Sequence, residues 1–340
     1  MSARRSHAFS SADIDALFAP FGRAKALLIA VSGGPDSTAL LLMAAEWAKR
    51  RGKTRVDAAT VDHGLRPESA EEAEAVAALC ARLGVGHRIL RWKGVKPTSR
   101  LQERARDARY RLLVDHAKAI GADALMTAHH ADDQAETVLF RLLRGSGLTG
   151  LRGMDAMTAR DGMTIARPLM GLKKRDLVAF AKARAAPFID DPSNSDPRFA
   201  RTRLRALLAR LDEEGLNPEA LDRLARRARE TEQALAHLTA EVEARVGSEG
   251  AIDARTLFAA PIAIAHRILA RRIAEAGGRD ATRIGLEKIE TLASDLHEAL
   301  KQRQAHAANV GGALVRLSAK GRLTFAPEPP RQSGRRPQSV

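Results

Sequence analysis

The sequence predicts an α/β protein: an open, mostly parallel sheet with helices on both faces, followed by a mainly helical C-terminal domain with a small β-hairpin. Three observations carry this. Lys25 to Val31 is a short, almost continuously apolar run ending in Ser-Gly-Gly, as expected for a strand covered on both faces in a parallel sheet. Strand-like and helix-like segments then alternate as far as Arg184, the pattern of right-handed crossovers. Past Asp190 to Pro197 (DDPSNSDP), a turn-forming cluster, long alanine-rich helical periods take over.

The elements follow in order. Thr38 to Lys49 has apolar residues at Leu40, Leu41, Ala44 and Trp47 and reads as a helix. Arg55 to Val61 is the second strand. Helix Glu68 to Leu83, strand His87 to Trp92, helix Arg100 to Ile120, strand Ala122 to Ala128 and helix Asp132 to Arg144 continue the alternation. A strand near Ile165 and a helix from Leu172 to Arg184 complete it. Arg198 to Arg210 holds five arginines and no acidic residue, a basic helix leaving the first domain. Pro218 to Val246 and Pro261 to Leu300 are helical by period, and Ala313 to Leu317 with Leu323 to Ala326 reads as a hairpin. The expected division is an N-terminal extension and helix (1–24), an α/β domain (25–210), a mainly helical domain (211–327) and a disordered basic tail (328–340). The sequence shows no internal repeat.

The 340 residues carry 56 Lys and Arg against 41 Asp and Glu, a net charge of +15 that favours a polyanionic partner. Apolar runs fall short of a membrane span, and the polar N-terminus shows no secretory signal. The single cysteine, Cys80, excludes an intramolecular disulfide or a Cys-Cys metal site and fits a reducing, cytoplasmic setting.

Two motif matches fail on context. Gly145 to Gly150 (GSGLTG) spells a dinucleotide fingerprint but follows a helix instead of a strand. Gly52-Lys53-Thr54 resembles the end of a Walker A loop, yet Trp47 stands where its first glycine belongs. The run Ser32, Gly33, Gly34, Pro35, Asp36, Ser37 has the right context: strand, glycine turn, helix. Glycines admit an anion to the backbone, two hydroxyls add donors, and a helix N-terminus adds partial positive charge. That is a phosphate cradle. Asp36 inside it would repel phosphate without a cation, so it reads as a Mg²⁺ contact, direct or through water; the bland alternative is a helix-capping Asp.

With this loop the chain resembles the PP-loop ATP pyrophosphatases, whose loop has the form Ser-Gly-Gly-x-Asp-Ser. Four more segments narrow the resemblance: Val61 to Arg66 (VDHGLR), Arg106 to Arg111 (RDARYR), Thr127 to Glu136 (TAHHADDQAE) leading to Leu142 to Met154 (LLRGSGLTGLRGM), and Asp191 to Asn194 (DPSN). Over roughly Lys25 to Arg205 they resemble the tRNA(Ile)-lysidine synthase family. The resemblance implies a PP-loop, adenine nucleotide alpha hydrolase-like catalytic domain that uses ATP and Mg²⁺. It implies adenylation of the C2 oxygen of the wobble cytidine in CAU-anticodon tRNA(Ile), then displacement of AMP by the ε-amine of free L-lysine. It also implies the roles of the residues: Ser32 to Ser37 and His63 at ATP; Asp36, Arg109, His129, Asp133 and Glu136 in catalysis, with Arg109, Asp133 and Glu136 at the lysine. Thr202 departs from the family, which has Asn after Arg201.

That chemistry suits these residue types. Lysine must attack as the free amine although its reference pKa is about 10.4, a cost of about 4.6 kcal/mol at pH 7, so a site must hold the ammonium and let its proton go. Asp133 and Glu136, three apart on a helix, lie on one face and can share one ammonium. His129 can accept a proton or contact phosphate, and the planar fork of Arg109 suits the lysine carboxylate or a phosphate. The bland readings are helix-dipole complementation by first-turn acids, a metal site in the His-His-x-Asp-Asp-x-x-Glu cluster, and solvated arginine faces. Arg198, Arg201, Arg203 and Arg205 are expected to meet tRNA phosphates. The rival functions are a tRNA thiolation enzyme of the same loop group, which needs a sulfur-carrying cysteine, a small-molecule adenylating ligase, which has no use for a +15 surface, and a noncatalytic RNA-binding module, which leaves the cradle's carboxylate unexplained. The oligomeric state is left between monomer and homodimer.

Overall fold

The computed structural model describes residues 9–64, 69–94, 99, 101–189, 200–247, 250–278 and 284–329. Two compact units emerge, one from residues 1–146 and 150–226, the other from 147–149 and 227–340.

The first unit is built on a six-stranded sheet in the order β3-β2-β1-β4-β6-β5. Helix α1 (Ser11–Phe18) opens the chain behind a capping box in which Ser10 and Asp13 satisfy each other's backbone N–H. Strand β1 (Ala26–Ala30) is central and pairs in parallel with β2 (Arg55–Asp62) and β4 (Ala124–Met126). Between them come α2 (Pro35–Arg51), α3 (Ser69–Leu83), β3 (Gly86–Arg91) and α4 (Leu101–Ala119). Then follow α5 (Ala131–Leu142), α6 (Leu148–Leu151), β5 (Met157–Arg160), β6 (Met163–Ala166), α7 (Lys174–Ala183), α8 (Ala200–Glu213) and α9 (Pro218–Val246).

The apolar run predicted as a buried strand splits by parity. Leu27 and Ile29 join the core with α1, α2, α3 and α7, whereas Leu28 joins Tyr110, Leu113 and Val114 of α4 on the other face. Both faces are therefore covered, as expected. Phe18 stacks on Trp47 at 5.2 Å between ring centroids, which fixes α1 against α2. Beside the sheet, Ala135, Val138 and Leu139 of α5 bury Leu204 of α8 and Leu221 and Ala225 of α9. These contacts keep α8 and the start of α9 with the first unit, so the units divide at Arg226, past the 210/211 boundary read from sequence.

The second unit contains the rest of α9, then β7 (Ala251–Asp253), α10 (Ala254–Ala259), α11 (Ile262–Gly277), α12 (Leu286–Lys301), β8 (His306–Val310), β9 (Ala313–Leu317) and β10 (Arg322–Pro327). Ile268, Leu269 and Ile273 of α11 and Leu292 and Leu296 of α12 pack on Val315, Leu317 and Leu323. Three expectations change. The stretch Pro261 to Leu300 is two helices, because α11 ends at a Gly-Gly pair that no helix spans well. The hairpin is part of a four-stranded antiparallel sheet, β7-β10-β9-β8, whose outer strands are too short or too alanine-rich to announce themselves. Strand β5, an edge strand antiparallel to β6, was also unforeseen. The tail from residue 330, the DPSN segment and Arg198 lie outside the described residues.

Candidate active site

The strand order reverses between β1 and β4, and open α/β sheets bind ligands outside the carboxyl ends of such strands. A cavity of about 680 Å³ lies there, lined by the loop after β1, the end of β2, the segment after β4, and side chains of α4, α7 and α8.

The loop after β1 is braced by its own serines. Ser37 Oγ donates to the Gly34 carbonyl at 3.0 Å and accepts from the Ser32 N–H at 3.1 Å, with the Ser32 hydroxyl 3.2 Å away. In this arrangement Ser37 shapes the cradle, and its donor is already committed. Gly33 has φ +85°, and a Cβ there would stand 2.7 Å from Ile189 Cδ1; a side chain fits neither the backbone nor the space. Gly34 caps α2 and Pro35 is its first residue, so the helix N-terminus with Asp36 in its first turn opens onto the cavity. Asp36 Oδ1 is buried without a hydrogen-bond partner among the described residues, an orphan that a cation would satisfy. Among the described residues no cluster of three or more metal-ligating side chains exists. The donor set thus suits Mg²⁺, which takes one or two carboxylates and completes its shell with phosphate oxygens and water.

After β4 come two histidines with opposite characters. His129 bonds through Nδ1 to Thr127 Oγ1 at 2.9 Å. Burial, reinforced by the charges of Arg167, Arg106 and Arg109 against the pull of Asp133, lowers its pKa to about 3. It is a neutral ring at pH 7 and a weak proton acceptor, which leaves phosphate contact as the better of its two expected roles. His130, expected from the sequence only as a member of a candidate metal cluster, is 3 % exposed and caps α5. Its Nε2 stands 3.4 Å from both Asp36 Oδ2 and Asp133 Oδ2, and its Nδ1 3.4 Å from Asp132 Oδ2. Burial lowers its pKa, but hydrogen bonds to Asp132 and Asp36 and the charge of Asp133 outweigh it and raise the value to about 9. His130 joins the carboxylates of the β1 and β4 loops into one unit. The spacing His-x-x-Asp, a capping box with an imidazole for a hydroxyl, was the available signal.

The paired carboxylates of α5 have different neighbours. Asp133 lines the cavity, with Oδ2 accepting from the His130 N–H at 3.2 Å and Oδ1 4.0 Å from Arg201. Glu136 is 3 % exposed, lies outside the cavity lining and accepts from Arg205 Nε at 2.5 Å. Burial raises its pKa against the pull of Arg205. Removing one partner of such a pair strands a buried charge. Arg205→Ala is therefore expected to cost about 3 kcal/mol, and Glu136→Gln less, as read by urea unfolding; equal small losses would contradict the pairing.

Of the remaining expected residues, Arg109 lines the cavity, its guanidinium 5.6 Å from the Tyr110 ring centroid. His63 lines it from the end of β2, edge-on to Trp92 at 5.9 Å. Arg201 and Arg205 line it from α8, whereas Arg203 is exposed away from it. The LLRGSGLTGLRGM segment is tied back to α5: Gln134 bonds both backbone groups of Met154, and Arg141 Nη1 donates to the carbonyls of Gly150 and Gly153. A Cβ on Gly153 would come within 2.5 Å of Gln134. Lys174 and Lys182 of α7 also line the cavity, unanticipated by the sequence. Cys80 is fully buried in the core, where burial pushes its thiol up to about 11, the opposite of a reactive cysteine's lowered value. No described helix is long and apolar enough to cross a membrane.

Residues 7–211 match a PP-loop domain family. The chain is 49% identical to a tRNA(Ile)-lysidine synthase of Methylobacterium nodulans over 92% of its own length and 93% of the relative's. It is 44% identical to one of Bradyrhizobium sp., covering 95% and 96% of the two chains, and 44% identical to one of Rhodopseudomonas palustris, covering 98% and 99%. Among solved structures it is similar in fold to a U34-tRNA thiolase from Methanococcus maripaludis, with a TM-score of 0.51 at 18% identity, over 59% of this chain and 70% of that one.

Proposed function

Since the chain belongs to the tRNA(Ile)-lysidine synthase family and is thus an ATP-dependent ligase with a PP-loop, we propose that it joins free L-lysine to C2 of the wobble cytidine of CAU-anticodon tRNA(Ile) through an adenylated tRNA. The observation that carries this reading is the single His130 nitrogen 3.4 Å from both Asp36 and Asp133. It sets a phosphate-loop carboxylate beside one suited to an ammonium, so that two successive steps share one cavity.

In the first step the cytidine O2 attacks the α-phosphorus, the bond to the β-phosphate oxygen breaks, and pyrophosphate leaves. The backbone N–H groups of Gly33 and Gly34 and the N-terminus of α2 hold phosphoryl oxygens. Asp36 holds Mg²⁺, which when bound neutralises charge on those oxygens. Neutral His129 hydrogen-bonds phosphate without adding charge. In the second step Asp133 takes the ammonium of lysine and Arg109 its carboxylate. The amine, once its proton has passed to solvent at a cost of about 4.6 kcal/mol at pH 7, attacks C2 and AMP departs with the C2–O bond electrons. Glu136 supports from behind: its pair with Arg205 fixes α8 against α5. The burial of Cys80 disfavours the thiolation alternative.

Incubation with radiolabelled lysine, ATP, Mg²⁺ and CAU-anticodon tRNA(Ile) should transfer label to the tRNA only when ATP is present; no transfer sinks the proposal. Arg201 and Arg203, exposed on α8, meet tRNA phosphates. Binding should therefore weaken about tenfold or more between about 50 and 200 mM salt. Removing either arginine should lower the slope by about one, read by filter binding across salt concentrations.

A further inference from the structure

The reaction as assigned leaves three cations of the same cavity unused, Arg106, which lies over the Tyr110 ring, and Lys174 and Lys182. Lys174 and Lys182 lie eight apart on α7, hence on one face, and Val178 between them lines the cavity too. Neither makes a side-chain hydrogen bond or ion pair with a described residue, whereas Arg201 stands near Asp133 and Arg205 is bonded to Glu136. Helix α7 is anchored to the site on both sides. Its Lys174 N–H donates to Asp132 Oδ2 at 2.9 Å, and beyond its C-terminus the Ile189 N–H donates to the Gly33 carbonyl at 2.9 Å. The lysine stripe is thus tied directly to the phosphate loop and to the α5 N-terminus.

We propose that Lys174 and Lys182 bind the β- and γ-phosphates of ATP and retain their charge on the pyrophosphate as it leaves, an assignment that rests on the adenylation reading. When the bond from Pα to the bridging oxygen breaks, its electron pair stays on that oxygen, and the departing anion carries more charge than one Mg²⁺ offsets. Two ammonium groups, compact point charges with three donors each, match it. The substrate lysine is the wrong occupant for this face, since its own ammonium would be repelled, and its carboxylate has Arg109. The same two charges explain how the cavity tolerates a tetra-anion beside Asp36, Glu72 and Asp133.

The test measures binding of inorganic pyrophosphate with Mg²⁺ to the full-length protein by calorimetry, without tRNA or lysine, for wild type, Lys174→Gln, Lys182→Gln, the double variant and Lys182→Arg. Each Gln variant should weaken pyrophosphate about tenfold, the double variant more, and the Arg variant should recover most of the loss. KM for ATP should rise in parallel while KM for lysine and the tRNA dissociation constant stay within about twofold. Unchanged pyrophosphate affinity in the double variant overturns the assignment, as does a loss confined to lysine KM or to tRNA affinity. Wild-type protein that binds pyrophosphate normally but makes no lysidine would refute the proposed reaction and leave this subsite standing, so the two failures are distinguishable.

Discussion

Asp36→Asn should reduce tRNA-dependent pyrophosphate release by about a thousandfold or more. The substitution keeps the shape and the first-turn position on α2 but removes the charge beside the phosphates. In the native protein one Asp36 oxygen is buried with no hydrogen-bond partner among the described residues and the other is 3.4 Å from His130. Asn leaves an uncharged oxygen or an N–H at the buried position, and an N–H there repels a cation outright. His130 also loses one of the three carboxylates around it. The fold should survive, because the core beneath the loop, Leu40, Leu41 and Met43 on α2, is untouched; a melting temperature within a few degrees of wild type is the control. Pyrophosphate release above about a tenth of the wild-type rate would show that Asp36 only caps the helix.

Much of this geometry was legible because the loops that bind ligands sit at places the sequence marks strongly. The Lys25 to Val31 run and Ser32 to Ser37 are contiguous, so strand, turn and helix could be read from six apolar residues, two glycines and a proline. The α5 carboxylates were legible as residue types and as a shared face. Their division of labour was not, because it depends on α8, some seventy positions away in the chain, delivering Arg205 to Glu136. The bridging role of His130 was not legible for a related reason. A histidine next to a histidine looks like half of a metal site, and only the fold shows that one ring points to Thr127 and the other into three carboxylates. The lysines of α7 lie in a segment whose pattern reads as an ordinary amphipathic helix. What they face is decided by where α7 is pinned, at Asp132 and Gly33, and pinning by backbone hydrogen bonds leaves no trace in side-chain periodicity. The small strands β5, β7 and β8 escaped because each is an edge or near-edge strand supported by one neighbour, with three to five residues and few β-branched side chains.

Asp133→Asn is expected to separate the two half-reactions. Asn retains an oxygen to accept the His130 N–H, so the start of α5 stays capped, and the 13 % exposed side chain changes little in volume. What disappears is the α5 carboxylate that lines the cavity, shared with His130 at 3.4 Å and Arg201 at 4.0 Å, whereas Glu136 is already taken by Arg205. A charge-assisted contact to the lysine ammonium is worth about 1.5 to 3 kcal/mol, so KM for lysine should rise about tenfold to a hundredfold. Pyrophosphate release should stay within about threefold of wild type, and adenylated tRNA should accumulate when lysine is limiting. Glu136→Gln should raise lysine KM far less, since its carboxylate meets Arg205 before it meets any ligand. Burst analysis of pyrophosphate release against labelled-lysine incorporation reads both steps on one sample. Equal loss of the two steps in Asp133→Asn would mean that Asp36, His130 and Asp133 act as one electrostatic unit in adenylation, and the assignment of the ammonium to Asp133 would fall.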